Sequence, residues 1–226
     1  MMKWLRSNVL LILLTVGTLF TFLWLKKNSK VFLLNRHKAL SIAVLHTLYG
    51  VFCVKVFAFA EAGFNSDAIG NMSLFGGIFF MPIFYFLLAK TLKIRVSVVF
   101  DYCTICMVFT VMCARINCIF AGCCYGLHIF NSQLRWPTRE AEIIFYIILM
   151  IWIVKQLKKG DANGIIYPVY MMSYGVFRFI IEFFRFYRVG AILHPAHIWS
   201  VLSFCIGCSI YVQIKSKKKR ERRLAK

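Results

Sequence analysis

Charge is scarce in this chain, and acidic charge is scarcest of all. Only 16% of the 226 residues are Asp, Glu, Lys or Arg, and 8 are acidic. A soluble domain carries about 25% charged residues, so too little polar surface is present to cover a globule in water. Internal repeats of fixed period and low-complexity linkers are also missing. One compact domain is therefore expected, not a repeat array or a string of tethered modules.

What is present is apolar. Hydrophobic residues make up 61% of the chain, with 23 Phe, and the mean hydropathy is +0.73. The apolar residues fall into seven runs, at 9–25, 39–60, 72–89, 96–114, 141–154, 164–184 and 198–214. A span needs about 20 such residues, so the pattern predicts an all-α integral membrane protein of about seven transmembrane helices in a single polytopic domain. The run beginning at Ala141 is short and is expected to extend into its flanks or to be surrounded by other helices.

The net charge of +20 would suit nucleic acid if it were gathered on one face. Here it punctuates the apolar runs, so no nucleic-acid partner is expected. With alternate connections assigned to opposite sides, most Lys and Arg fall on one side. These are Lys26, Lys27, Lys30, Arg36 and Lys38, then Lys90, Lys93 and Arg95, then Lys155, Lys158 and Lys159, and finally the tail at 215–226. Positive residues favour the cytoplasm, which predicts an outside amino terminus, a cytoplasmic carboxyl terminus and a solvated basic tail. Glu61 and Asp67 then fall outside. Lys3 and Arg6 would also suit a cleaved signal peptide, but no small-residue cleavage site follows Leu25, and Lys26 and Lys27 read as the end of an anchor.

The remaining cations sit where that rule does not want them. Lys55 and Arg178 lie within runs, Arg115 lies at the outer end of one, and Arg139, Arg185 and Arg188 lie on the outer side. A cation at the centre of a span costs about 2.5–3.5 kcal/mol, so Lys55, Arg115 and Arg178 should each face a bundle interior, a carboxylate or an anion. Asp101 and Glu182 are the acids at hand, and Arg178 and Glu182, four apart, share a helix face. Either these are structural ion pairs, or the surplus of cations over acids binds an anion, for which phosphate is the obvious bilayer source. The polar stretch RINCIFAGCCYGLHIFNSQLRWPTREAE, from Arg115 to Glu142, gathers Asn117, Asn131, Arg135 and Arg139 around Gly122 and Gly126. It reads as a head-group site or as an ordinary extracytoplasmic loop. Among the nine Cys, the pairs Cys103/Cys106 and Cys205/Cys208 lie inside runs, where Cys behaves as a small apolar residue. Cys118, Cys123 and Cys124 belong to the outer face, as loop packing, a disulfide or a transient lipid carrier.

RINCIFAGCCYG resembles the signature loop of the bacterial prolipoprotein diacylglyceryl transferase family, in which an Arg opens a Gly-rich loop that ends in an aromatic and a Gly. Further blocks agree in order and spacing. Asp101 precedes Arg115 by 14 residues; Trp136, Pro137 and Thr138 through Glu142 are similar to a His-Pro-Thr-Gln-x-Tyr-Glu block; Tyr174, Gly175, Arg178, Phe179, Glu182, Phe183 and Arg185 resemble YGxxRFxxEFxR. Met72, Ser73, Gly76 and Gly77 match M-S-x-H-G-G, except that Phe75 replaces the His. Cys118 replaces an Asn, and His197 stands near a Gln.

The resemblance implies an enzyme of the bacterial cytoplasmic membrane that moves the diacylglyceryl group of phosphatidylglycerol to the lipobox Cys thiol of a prolipoprotein signal peptide, without cofactor or metal. It implies Arg115 and Arg178 as a phosphate clamp, oriented by Glu182 and Asp101, with Glu142 holding the loop and Tyr174 donating to the head group. Arg139 and Arg185 add positive charge, and Gly76, Gly77, Gly122 and Gly126 would let lipid approach the backbone. Phe75 cannot exchange a proton, so His197, expected at the outer membrane edge, is the favoured base among His46, His128, His194 and His197. A related phospholipid-dependent transferase with another acceptor and a non-catalytic lipid-binding protein are the alternatives.

Overall fold

A computed structural model describes residues 2–65, 70–130, 132–160, 162–186 and 193–224. Asp67, Asn131 and Arg188 lie outside the described residues. Among the described residues eight helices form: α1 (Met2–Lys27), α2 (Ser29–Phe32), α3 (Arg36–Glu61), α4 (Leu74–Leu92), α5 (Val96–Ala121), α6 (Thr138–Lys158), α7 (Ile166–Glu182) and α8 (Pro195–Leu224). Each of the seven apolar runs falls on one helix, with 72–73 just before α4 and 164–165 and 183–184 just outside α7, and the single-turn α2 follows the Lys pair that ends α1.

Five helices, α1, α3, α4, α5 and α8, are long and apolar enough to cross a membrane. Apart from the single-turn α2, the remaining helices α6 and α7 miss that description for a physical reason. The 17-residue α7 carries Arg178 and Glu182, and α6 opens on Arg139, Glu140 and Glu142 and ends on Lys155 and Lys158. These two helices carry the buried Glu142, Arg178 and Glu182, while α5 carries the buried Asp101 and Arg115.

α5 is the centre of the bundle. It packs on α1, α4, α6 and α7, while α3 packs on α1 and α4, and α8 packs along α7. Close packing rests on small residues. A Cβ on Gly76 would stand 2.2 Å from the Cys53 carbonyl oxygen of α3, and one on Gly175 would stand 2.6 Å from the Ser200 carbonyl oxygen of α8. Gly76 is therefore a helix-to-helix contact, not an opening for lipid.

Three expectations are revised. Arg115 belongs to the last turns of α5, and Thr138 opens α6, so the connection itself is residues 122–137. The basic tail is the continuation of α8 as far as Leu224. Lys55 does not face the interior; it is exposed on α3, six residues from the helix end, where a long stem can carry the ammonium to the interface.

Candidate active site

The site is assembled by three helices around one carboxylate. Glu142, in the first turns of α6, pairs with Arg115 Nε of α5 and accepts from Arg178 Nη1 of α7 at 2.8 Å. Arg178 Nη2 reaches Glu182 Oε2 at 2.7 Å, and Arg185 Nη1 stands 3.7 Å from the same oxygen. The result is one continuous chain, Arg115–Glu142–Arg178–Glu182–Arg185. All five side chains are less than a tenth exposed.

Burying separate charges costs several kcal/mol each, and alternation of sign is what makes such a row tolerable. Three guanidinium groups face two carboxylates, so the chain keeps one surplus positive charge. Below it lie phenols. Tyr170, Tyr174, Arg178 and Glu182 succeed one another at four-residue spacing on α7, and Tyr146 stands one turn beyond Glu142 on α6. Tyr146 and Tyr174 rings stack at 6.3 Å, and neither hydroxyl has a hydrogen-bond partner among the described residues. Both lie within the electrostatic reach of Arg115. Phe75 packs edge-on against Tyr174 at 5.6 Å, so the ring at the position of the motif His borders the same phenol.

The connection at 122–137 closes over the end of the bundle where α5 ends and α6 begins. Leu127 N–H donates to the Phe184 carbonyl at 2.8 Å and Phe186 N–H to the Tyr125 carbonyl at 3.0 Å, so the loop is stitched to the segment after α7. Arg135 lies over the Tyr125 ring at 4.1 Å. Arg139 donates to the Cys118 carbonyl at 3.4 Å and pairs with Glu140 at 3.6 Å. Gly126 is held close because a Cβ there would stand 2.3 Å from the Trp136 carbonyl oxygen, and Gly122 takes φ 66 as the cap of α5. These two glycines serve the loop's own path. Of the four, Gly77 lines a groove.

The groove, of about 440 Å³, lies between α1, α3, α4 and α5 and is lined by apolar side chains such as Leu10, Val54, Met81 and Val111. Arg115, Cys118, Cys123 and Cys124 stand at its mouth. There the Cys124 thiol is held below the ordinary thiol range, by a hydrogen bond from the Cys118 thiol and by the Arg185 and Arg115 guanidinium charges.

Two expected members lie elsewhere. Asp101 accepts from the N–H groups of Gly164 at 2.7 Å and Ile166 at 2.9 Å, and so caps the start of α7. Fourteen residues separate it from Arg115 on one helix, about 21 Å at 1.5 Å per residue, so it cannot orient the clamp directly. His197 is buried on the first turns of α8 against the rings of Phe179 and Phe183. Its Nδ1 accepts from His194 N–H at 3.0 Å, and its Nε2 has no hydrogen-bond partner among the described residues. Tyr146 and Tyr170 were not anticipated; their signal is the four-residue spacing to Glu142 and to Tyr174.

The fold and the site together define an all-helical membrane bundle in which a buried arginine–glutamate chain reaches, through Arg115, an apolar groove. Such a bundle with this loop has known relatives. The chain belongs to the prolipoprotein diacylglyceryl transferase family, whose model matches residues 10–213. It is 28% identical over 113 residues to the phosphatidylglycerol–prolipoprotein diacylglyceryl transferase of Clostridium tetani (strain Massachusetts / E88), covering 43% of this chain and 45% of that protein. It is 27% identical over 123 residues to phosphatidylglycerol–prolipoprotein diacylglyceryl transferase 2 of Clostridium perfringens (strain 13 / Type A), covering 47% of this chain and 48% of that protein. The chain thus spans about half the length of the curated relatives it matches.

Proposed function

We propose that the chain is a transferase of the bacterial cytoplasmic membrane that moves the diacylglyceryl group of phosphatidylglycerol to the lipobox Cys thiol of a prolipoprotein. The observation that carries this reading is the buried chain from Arg115 to Arg185, whose single surplus positive charge matches the single negative charge of a phosphodiester. The printed names of the two clostridial relatives support it. The helices α1 and α3 to α8 act as seven membrane-crossing segments, with the amino terminus outside and the basic end of α8 in the cytoplasm.

Phosphatidylglycerol lies with its acyl chains in the apolar groove and its phosphate at Arg115 and Arg178. The acceptor sulfur attacks the glyceryl carbon, a thioether forms, the carbon–oxygen bond breaks, and glycerol phosphate leaves. The leaving phosphate gains negative charge in the transition state, and guanidinium groups fixed in a water-poor site stabilise it without reorganising. Glu142 and Glu182 hold the guanidinium planes, Tyr174 donates to the head group, and Arg139 and Arg185 add positive potential at the outer end.

Phe75, without a transferable proton, favours one second reading, in which the same lipid donor serves another acceptor. The test is mass spectrometry of a lipobox peptide incubated with the chain in phosphatidylglycerol vesicles. Diacylglyceryl addition is expected. An unmodified peptide with continued phosphatidylglycerol consumption supports the second reading, and an unmodified peptide with intact lipid contradicts both.

A further inference from the structure

The mouth of the groove carries a cluster that the phosphate clamp does not use. Helix α5 ends in a turn where Cys123 N–H bonds back to the Cys118 carbonyl at 3.2 Å across Gly122 at φ 66. A helix ending of this kind brings the side chains five positions apart to the same side. Cys124 follows with φ 58, and its carbonyl is pinned at 3.1 Å by the Thr138 hydroxyl. The three sulfur atoms of Cys118, Cys123 and Cys124 therefore all lie within 4.8 Å of one another. All three are free thiols, and all three line the groove. Cys103 and Cys106, by contrast, are buried in the middle of α5, and Cys205 and Cys208 lie on α8.

We propose that Cys118, Cys123 and Cys124 form a three-thiolate site for a soft divalent cation such as Zn²⁺, with the fourth coordination position open to the groove. Zinc–sulfur bonds of about 2.3 Å set tetrahedral sulfur atoms about 3.8 Å apart, and the three sulfur atoms, all within 4.8 Å of one another, stand near that spacing. Charge agrees. Three thiolates and Zn²⁺ carry one net negative charge, and the groups around them are cationic: Arg139 donates to the Cys118 carbonyl, and Arg115 and Arg185 act on Cys124. A hard, oxygen-seeking cation finds no suitable donor set in three sulfurs.

Three protein ligands with an open fourth position is the arrangement of a reactive site, whereas structural zinc sites are closed by four. On the transferase reading of the previous section, the open position receives the acceptor thiol. A coordinated thiol loses its proton outright, here to water, which supplies the deprotonation that Phe75 cannot. The bound sulfur then attacks the glyceryl carbon, and the electron pair of the breaking carbon–oxygen bond leaves with the phosphate.

The test uses the full chain, reduced, in detergent micelles and titrated with Co²⁺. The expected result is a thiolate-to-cobalt absorption band that saturates at one ion per chain. Cys118→Ser, Cys123→Ser and Cys124→Ser should each weaken binding at least tenfold, and a Cys205→Ser/Cys208→Ser variant should bind as the parent does. Adding a lipobox peptide should shift the band, and the same peptide with Ser for Cys should not. No band, or an unchanged band when all three outer cysteines are Ser, overturns the site. So does a disulfide among them, seen as two thiols that resist alkylation until reduced. A Cys-dependent band that the peptide leaves unshifted overturns the acceptor role. The titration needs no lipid and no turnover, so it fails independently of the peptide assay for transfer.

Discussion

Arg178 and Glu142, 36 residues apart in the chain, are joined by a hydrogen bond of 2.8 Å from Nη1 to Oε1. That bond ties α6 to α7, and because Glu142 also pairs with Arg115 it ties both to α5. One carboxylate thus holds three helices and aims two guanidinium groups.

Glu142 is the member whose loss the fold tolerates least. Without it Arg115 loses its carboxylate, whereas Arg178 keeps Glu182. Removing one partner from a buried pair costs about 3–5 kcal/mol. Glu142→Gln should therefore lower the thermal unfolding midpoint in detergent and reduce the amount of chain in membranes. Arg115→Ala leaves Glu142 paired with Arg178 and should accumulate better than Glu142→Gln.

Arg178 spans two acids with two nitrogens, which a lysine cannot do. Arg178→Lys should keep the charge and the fold but lose transfer by about 10²–10³-fold, the range for one lost transition-state donor. The measurement is peptide modification per mole of folded protein. A near-normal rate would show that point charge suffices and that the forked geometry does not matter.

The two glycines of the Gly76–Gly77 pair should respond differently. Gly76→Ala drives a methyl into the Cys53 carbonyl, whereas at Gly77 the nearest atom would be 3.7 Å away. Overpacking costs about 1–3 kcal/mol, so Gly76→Ala should destabilise the contact of α3 with α4, while Gly77→Ala should stay within about 0.5 kcal/mol of the parent. Equal effects on thermal stability would contradict the packing described here.

Phe75→His would place an imidazole beside Tyr174. An ordinary His titrates at about 6.5, and burial disfavours its charged form, moving that value down. A base acts when neutral, so transfer by Phe75→His should gain a rising limb at or below about pH 6.5 that the parent chain lacks. Identical pH profiles would show that this position does not reach the reacting sulfur.

Much of the site could be read along one helix and little of it across helices. Arg178 and Glu182 declare themselves by their four-residue spacing, and Arg115 by its place at the end of an apolar run. Glu142 is legible as the end of the polar stretch and through its block, but its sharing between Arg115 and Arg178 depends on how α5, α6 and α7 pack. Asp101 misleads for the converse reason. It stands on the same helix as Arg115, but many turns away, where it caps α7 through Gly164 and Ile166. Gly76 looked like an approach for lipid because a glycine's lack of a side chain does not say which backbone fills the space. The apolar runs located the helices well, since burial in lipid or protein selects the same residues, but of the seven runs those on α6 and α7 fall on helices that are too charged (α6) or too short (α7) to join the five long apolar ones.

The account rests on a phosphate held by Arg115 and Arg178, and one measurement tests it most directly. Parent chain, Arg115→Ala and Arg178→Ala, matched for folded amount, would be given phosphatidylglycerol and a lipobox peptide, and the peptide weighed by mass spectrometry. The parent should add a diacylglyceryl group, and both variants should leave the peptide unmodified. Transfer by either variant at the parent rate would contradict the phosphate clamp.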